Sequence, residues 1–266
     1  MLNTILYAFV SVALLGAFFG IGLAVASKYL HVKKDARLIE LEEALPGYNC
    51  GACGFAGCAS FAAAVFKGEI ENLTLCTPGS SETALKLAEI MGVNVDVSGE
   101  KQVAQVHCRG GREEARESYI YSGIKDCNAA YSLFQGSKTC KYGCIGYGSC
   151  VRVCPVDAIS YDNSELVVVD KDICISCGKC VDICPTGVMK MIPYSADYII
   201  ACNSKDKGAF VRKACKVGCI GCKICEKKSP EGGFKVENFL ASIDYDAAGD
   251  RKEAASSCPA KCIILN

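Results

Sequence analysis

Cys174, Cys177, Cys180 and Cys184 stand at the spacing C-x2-C-x2-C-x3-C, with Pro185 directly behind the last. Thiolates this closely spaced hold metals, and this run is the one that holds [4Fe–4S] clusters. Three neighbouring cysteines bind one cubane, and the fourth, before proline, reaches across to a second. A partner run lies upstream at Cys140, Cys144, Cys150 and Cys154-Pro155, where Tyr147 occupies the place of the middle cysteine. Cys140 is the expected substitute. One cluster is therefore expected on Cys140, Cys144, Cys150 and Cys184, and another on Cys154, Cys174, Cys177 and Cys180.

A separate module comes first. The stretch NCGACGFAGC carries Cys50, Cys53 and Cys58, and Cys76 follows ahead of Thr77-Pro78. Four thiolates can hold a further cubane, and Gly51, Gly54 and Gly57 let the backbone wrap it and aim N–H groups at its sulfides. A structural zinc site with four cysteine ligands is the competing reading of such a set.

The frame of the middle module returns 75 residues later, as Cys202, Cys215, Cys219, Cys225 and Ser229-Pro230 against Cys127, Cys140, Cys144, Cys150 and Cys154-Pro155. CKYGCIG and CKVGCIG match almost letter for letter, the mark of a duplicated unit. In the copy Cys222 restores the middle cysteine. The other half has decayed, because Ala248, Arg251 and Ala254 stand where three cysteines before Cys258-Pro259 belong. One cluster is expected to survive, on Cys219, Cys222 and Cys225, with Cys258 as fourth ligand and Cys215 as its competitor. Cys108, Cys127, Cys202 and Cys262 have no complete set. They read as buried free thiols, with a further cluster on some of them as the alternative.

The remaining composition narrows the function. Twenty-one of 266 residues are Cys, an odd number that disulfides cannot exhaust. The formal net charge is zero, so there is no overall nucleic-acid footprint. His31 and His107 fall in no metal-ligand or triad pattern, and no nucleophile elbow, dinucleotide fingerprint or P-loop occurs.

These cysteines must be positioned by a chain that starts in lipid. Residues 2–27 hold no charged side chain, long enough to span a bilayer core. Lys28, His31, Lys33, Lys34 and Arg37 follow, which places the cysteine-rich part in the cytoplasm. Ala24-Val25-Ala26 could mark a cleaved signal peptide, but the n-region lacks a basic residue and the apolar run is too long. Gly16 and Gly20 form a G-x-x-x-G that permits close helix packing. Short helices are expected over residues 35–45, 80–91 and 113–121, a strand over 103–107, and a hairpin from 158–161 and 166–170. The fold class is α+β: one N-terminal transmembrane helix, a small mainly helical four-cysteine Fe–S domain, then tandem bacterial ferredoxin-like modules, the last degraded. The expected domains are the anchor (1–28), the four-cysteine domain (29–95), a connecting segment (96–126), a two-cluster module (127–198) and the degraded one-cluster repeat (199–266).

Taken together, the anchor, NCGACGFAGC with Cys76, CKYGCIGYGSCVRVCPVDAI and CISCGKCVDICPTGV resemble the B subunits of the Rnf complexes, ion-translocating ferredoxin:NAD oxidoreductases. The resemblance covers nearly the whole chain. It implies [4Fe–4S] clusters, here about four, a membrane complex with five other types of subunit, and electron exchange with soluble ferredoxin coupled to Na⁺ or H⁺ movement. Apart from the resemblance, the zero net charge argues for no nucleic-acid partner, and the apolar span with its basic flank is expected to make the chain a single-pass protein of the cytoplasmic membrane with its Fe–S domains on the cytoplasmic side. The chain departs from the simplest members in its extra repeat. Two rivals stand beside it: an electron-transfer subunit of another membrane redox enzyme, such as a hydrogenase or formate dehydrogenase, and a zinc-stabilised membrane scaffold.

The segment 203–228 carries Lys205, Lys207, Arg212, Lys213, Lys216, Lys223, Lys227 and Lys228 against Asp206 and Glu226, about +6 in a neutral chain. An acidic ferredoxin would be steered to such a rim, so Lys213, Lys216, Lys227 and Lys228 are candidate docking residues. A solvated face partly neutralised by acids between 231 and 253 is the alternative.

Overall fold

The computed structural model describes residues 2–29, 35–97 and 99–266. His31, Lys33 and Lys34 of the basic run lie outside the described residues. The chain divides into two units, residues 1–40 and 41–266.

The first unit is dominated by helix α1 (Leu2–Tyr29). Its apolar stretch Ile5–Tyr29, with mean hydropathy 2.3, has the length and composition to cross a membrane. The described side chains are largely exposed on all sides: Phe9, Phe18 and Leu23 each exceed 70%. A helix apolar all round and covered by no protein of its own suits lipid.

Helix α2 (Ala36–Ala44) leads into the second unit and buries Leu41. Helix α3 (Cys58–Phe66) buries Phe61, Ala62, Ala64 and Val65. Helix α4 (Ser80–Met91) buries Thr83, Ala84, Leu87 and Ala88, the helical spacing of one face. Gly92, at φ 69°, ends α4 in the left-handed conformation that glycine adopts without a Cβ penalty, and its N–H returns to Ala88 and Glu89 carbonyls.

Strand β1 (Gln102–Val106) precedes α5 (Cys127–Tyr131), α6 (Ser149–Val153), β2 (Ile159–Tyr161), β3 (Val167–Val169), α7 (Lys179–Asp182) and β4 (Met189–Pro193). The hairpin β2–β3 is antiparallel, with Ile159 opposite Val169. β1 pairs antiparallel with β4, Val103 opposite Ile192. The segment read from sequence as a connector thus supplies a sheet strand.

The same arrangement follows in β5 (Tyr198–Ile200), α8 (Gly208–Ala214), α9 (Ile224–Lys228), β6 (Phe234–Glu237), β7 (Leu240–Ile243), α10 (Lys252–Ser256) and β8 (Ile263–Leu265). β6–β7 is the inner hairpin and β5 pairs with β8. Each pair of sheets encloses its own core, one around Val103, Val167, Val188 and Met189, the other around Ile200, Phe234, Val236 and Ile263.

The expected helix over 113–121 does not form. Its backbone is recruited over long range: Arg116 N–H donates to Ala214, Ser118 N–H to Ser137, and Thr139 N–H to Arg116. Isolated bridges join Ala115 to Cys215 and Glu117 to Lys138. Tertiary pairing satisfies the groups that a helix would have satisfied locally.

Candidate metal centres

Cys50, Cys53, Cys58 and Cys76 line one cavity of about 320 Å³, walled by Leu45, Phe61 and Pro78. Asn49 fixes the entry to α3, its Oδ1 accepting the Cys58 N–H at 2.8 Å. Burial pushes Cys76 up to about 11, against the Gly79 N–H, and Cys58, Cys53 and Cys50 are near enough to add to the rise.

In the middle module Cys127, Cys144, Cys150 and Cys184 line a cavity of about 350 Å³ with Ile145, Val167, Val188 and Met189. Cys140, the ligand expected from spacing, stands on a different cavity with Cys108, Cys202 and Cys215. The reason is a polar clamp that brings Cys127 in. Asp126 caps α5, accepting the N–H groups of Asn128 and Ala129. Its second carboxylate oxygen accepts from Ser149 Oγ and from Arg152, each at 2.7 Å. Ser149 Oγ accepts the Cys127 N–H at 2.9 Å. The start of α5 is so tied to α6, which carries Cys150. Cys127 thereby lines this cavity beside Cys144, Cys150 and Cys184.

Cys154, Cys174, Cys177 and Cys180 are the companion set expected from spacing. Cys154 Sγ accepts the Ala158 N–H at 3.3 Å. Burial raises Cys177, opposed by the Lys179 N–H, with Cys50, Cys154 and Cys174 in electrostatic reach. Burial also pushes Cys180 up to about 12, and Cys174, Cys177 and Cys150 add to it. Thr77 Oγ1 donates to the Ser176 carbonyl at 3.2 Å, so this set adjoins the first.

In the repeat, Cys219, Cys222, Cys225, Cys258 and Cys262 line a cavity of about 350 Å³. Cys258 is at this cavity and Cys215 is not. Cys262 keeps its proton and offers it to its neighbours; Cys258 Sγ is 3.6 Å away. That S–H pulls Cys258 down to about 5 and Cys219 to about 6. Cys222 is the one exposed cysteine among the described residues.

The opposite half of the repeat is filled with protein. Arg251 is buried, with Nε donating to the Gly232 carbonyl at 2.9 Å and Nη2 to Asp244 and Ala247 carbonyls at 3.2 and 2.7 Å. Ser229 Oγ donates to the Asp250 carbonyl, and Ala254 is fully buried.

The fit to cubane clusters follows from these walls. Sulfurs from separate loops converge on shared cavities here, four in the first set, four in the middle set and five in the repeat. Among the described residues no three His, Cys, Asp or Glu side chains close on a single ion. A cubane takes its four thiolates on separate irons, hence spread around a larger body. Sulfurs accept N–H groups from two residues on, as Cys144 from Gly146, Cys177 from Lys179 and Cys219 from Gly221. Such bonds orient and tune thiolate ligands.

Sequence spacing missed Cys127, although one signal was present: the frame lacks its middle cysteine in the first copy, and Cys127 is the next cysteine upstream of Cys140. Comparison with known proteins agrees with the metal chemistry. Residues 45–78 match the family model described as "Putative Fe-S cluster", and residues 142–189 match the "4Fe-4S dicluster domain". The chain is 40% identical to the B subunit of the proton-translocating ferredoxin:NAD(+) oxidoreductase complex of Clostridium ljungdahlii, over 98% of this chain and 91% of that protein. It is 41% identical to the B subunit of the Na(+)-translocating ferredoxin:NAD(+) oxidoreductase complex of Acetobacterium woodii, over 99% and 78%. It is 38% identical to the B subunit of the ion-translocating oxidoreductase complex of Methanosarcina acetivorans, over 94% of each. With likeness of this extent running through both the anchor and the cysteine modules, the chain belongs to the family of B subunits of the ion-translocating ferredoxin:NAD(+) oxidoreductase complexes.

Proposed function

We propose that this chain is the membrane-anchored electron carrier of such a complex, taking single electrons between soluble ferredoxin and the membrane subunits. The observation that carries the reading is the series of four-thiol shells in one compact unit, behind a helix apolar enough to span a bilayer. Four shells are assigned: Cys50, Cys53, Cys58 and Cys76; Cys127, Cys144, Cys150 and Cys184; Cys154, Cys174, Cys177 and Cys180; and Cys219, Cys222, Cys225 and Cys258. Bound [4Fe–4S] clusters supply one-electron exchange at low potential.

The chain's own residues do the rest. Apolar walls such as Val167, Val188 and Met189 keep water from the middle set. Backbone N–H groups reach sulfurs such as those of Cys76, Cys144, Cys154, Cys177 and Cys219, orienting them and drawing off negative charge. No acid, base or nucleophile is needed, because the substrate is an electron. Residues 2–27 contain no charged group, so the ion path belongs to partner subunits.

Entry at the third module is favoured by exposure. Cys222 reaches solvent, and Lys213, Lys216, Lys227 and Lys228 around that module are exposed. Lys228 pairs with Glu253 at 3.0 Å, which leaves Lys213, Lys216 and Lys227 as the principal cations for an acidic ferredoxin. The basic residues that follow the apolar span in the sequence support a cytoplasmic side for the cysteine modules.

Two experiments test the reading. Reduced ferredoxin mixed anaerobically with the purified full-length protein should bleach its visible absorption; a spectrum that does not change overturns electron exchange. Protease should digest the cysteine modules in inside-out vesicles and spare them in intact cells. The reverse pattern overturns the sidedness.

A further inference from the structure

Cys108, Cys140, Cys202 and Cys215 line one cavity, as the thiols of the first set, of the Cys127 set and of the repeat do. Cys202 is buried and the other three are half-buried, and thiols acting only as small apolar side chains need not converge from separate loops. Their sulfurs instead face a common room. A Cβ added at Gly110 would lie 3.3 Å from Cys215 Sγ and 3.7 Å from Cys108 Sγ, and one at Gly143 would lie 3.8 Å from both Cys108 and Cys140 Sγ.

We propose that these four cysteines hold a fifth [4Fe–4S] cluster, which joins the third-module cluster to the pair in the middle module.

The local backbone is that of the other shells. Cys140 Sγ accepts the N–H of Tyr142, Cys202 that of Ser204 and Cys215 that of Val217, each two residues on. The ferredoxin-spaced Cys144, Cys177 and Cys219 do the same. Ser204 also offers its hydroxyl to Cys140. Charge is mixed at the rim: Lys138, whose Nζ donates to the Gly110 carbonyl at 2.7 Å, lines the cavity together with Asp206.

The duplication explains the ligand set. Cys140 and Cys215 occupy equivalent positions in the two copies, and so do Cys127 and Cys202. The first copy has Tyr147 in its middle position and uses Cys127 to complete a ferredoxin shell. The second copy has Cys222 there, which frees Cys202. Two ligands thus come from each side of the junction between the copies, if Cys108 is counted with the first.

Position gives the site its role. Cys202 Sγ accepts the Cys219 N–H, so it touches a ligand of the third-module shell. Cys108 lies in electrostatic reach of Cys144 in the middle shell. Beyond that shell, Cys150 lies in reach of Cys180, and Cys177 of Cys50. The five shells therefore form one series. A single electron leaves a reduced neighbour and reduces this cluster, then leaves it oxidised again, with no bond or proton transferred.

The inference rests on the function proposed above, and iron counting separates the two. Full-length protein purified anaerobically should hold about twenty iron atoms, four per cubane, and no zinc. The double variant Cys108→Ala/Cys215→Ala should hold about sixteen and lose one reduced-cluster signal in its EPR spectrum, with four clusters still reducible. About sixteen iron atoms in the natural protein, with or without one zinc, overturns the fifth cluster and leaves the rest standing. Protein without iron overturns both. The count on the natural protein stands whether or not the variant folds.

Discussion

Arg251 Nη1 lies 2.8 Å from Asp197 Oδ1, and the rest of its guanidinium is spent on backbone carbonyls and on the face of Tyr245, 5.6 Å from the ring centroid. This arginine stands in the frame where a cluster-ligating cysteine belongs. A buried fork of five donors can satisfy carbonyls that would otherwise line a void, and here it forms a structural joint. Arg251→Ala should therefore destabilise the folded protein by on the order of 3 kcal/mol, because several buried acceptors lose their donor together. Chemical unfolding measures it, and iron content at low denaturant should stay unchanged. A change below about 0.5 kcal/mol would show the joint to be dispensable.

The grouping of cysteines in the middle module has a sharp test. Cys127→Ala should cost about four iron atoms and abolish the cluster on Cys144, Cys150 and Cys184. Cys140→Ala should leave that cluster intact. EPR of the reduced variants distinguishes the two, and the opposite outcome would restore the grouping suggested by spacing alone.

Cys258 and Cys262 share one cavity wall with different roles. Cys258→Ala should remove the third-module cluster. Cys262→Ser should keep its iron but shift its potential, on the order of tens of millivolts, because a weaker S–H donor is exchanged for a stronger O–H one. Redox titration followed by EPR reads the shift; loss of iron in Cys262→Ser with retention in Cys258→Ala would exchange the roles.

Protons compete with iron for thiolates. Burial raises Cys144 to about 12, and Cys150 and Cys180 to about 11 and about 12. In the third module burial raises Cys225 to about 11, but the Cys262 S–H lowers Cys219 and Cys258 to about 6 and about 5, so fewer of its ligands recapture protons. A raised thiol recaptures a proton readily once released, whereas a lowered one does so only in more acid solution. As pH falls from about 8 to about 5, the middle-module clusters should therefore be lost before the third-module cluster, each ligand displaced by a proton weakening binding up to tenfold per pH unit. Anaerobic acid titration with EPR follows the order. Loss of the third-module signal first would contradict it.

Docking at the third module predicts salt-dependent kinetics. Charge reversal of Lys213, Lys216 and Lys227 to Glu should slow reduction by ferredoxin roughly tenfold or more at low salt, and the difference should shrink as ionic strength rises. Lys228→Glu alone should do less, since Glu253 already opposes that charge. Stopped-flow bleaching provides the measurement, and an unchanged low-salt rate would place docking elsewhere.

The apolar span from residue 2 to 27, the cysteine runs at Cys50 and Cys174 and the repeated frame were all legible in the sequence, because each is written in local spacing. Helix α4 was legible for the same reason: one apolar face at a period of 3.6 and a glycine behind it. The expected helix over 113–121 failed because its N–H and carbonyl groups pair with residues far along the chain, around Ala214 and Ser137. Which thiols converge is likewise a tertiary matter. Cys127 joins Cys144 and Cys150 through the Asp126, Ser149 and Arg152 clamp, and Cys108, Cys140, Cys202 and Cys215 meet only where the two copies are folded against each other. Spacing along the chain says which thiols can share one loop. It does not say which thiols from different loops will face one cavity, because that depends on packing between segments and on the long-range hydrogen bonds that hold them.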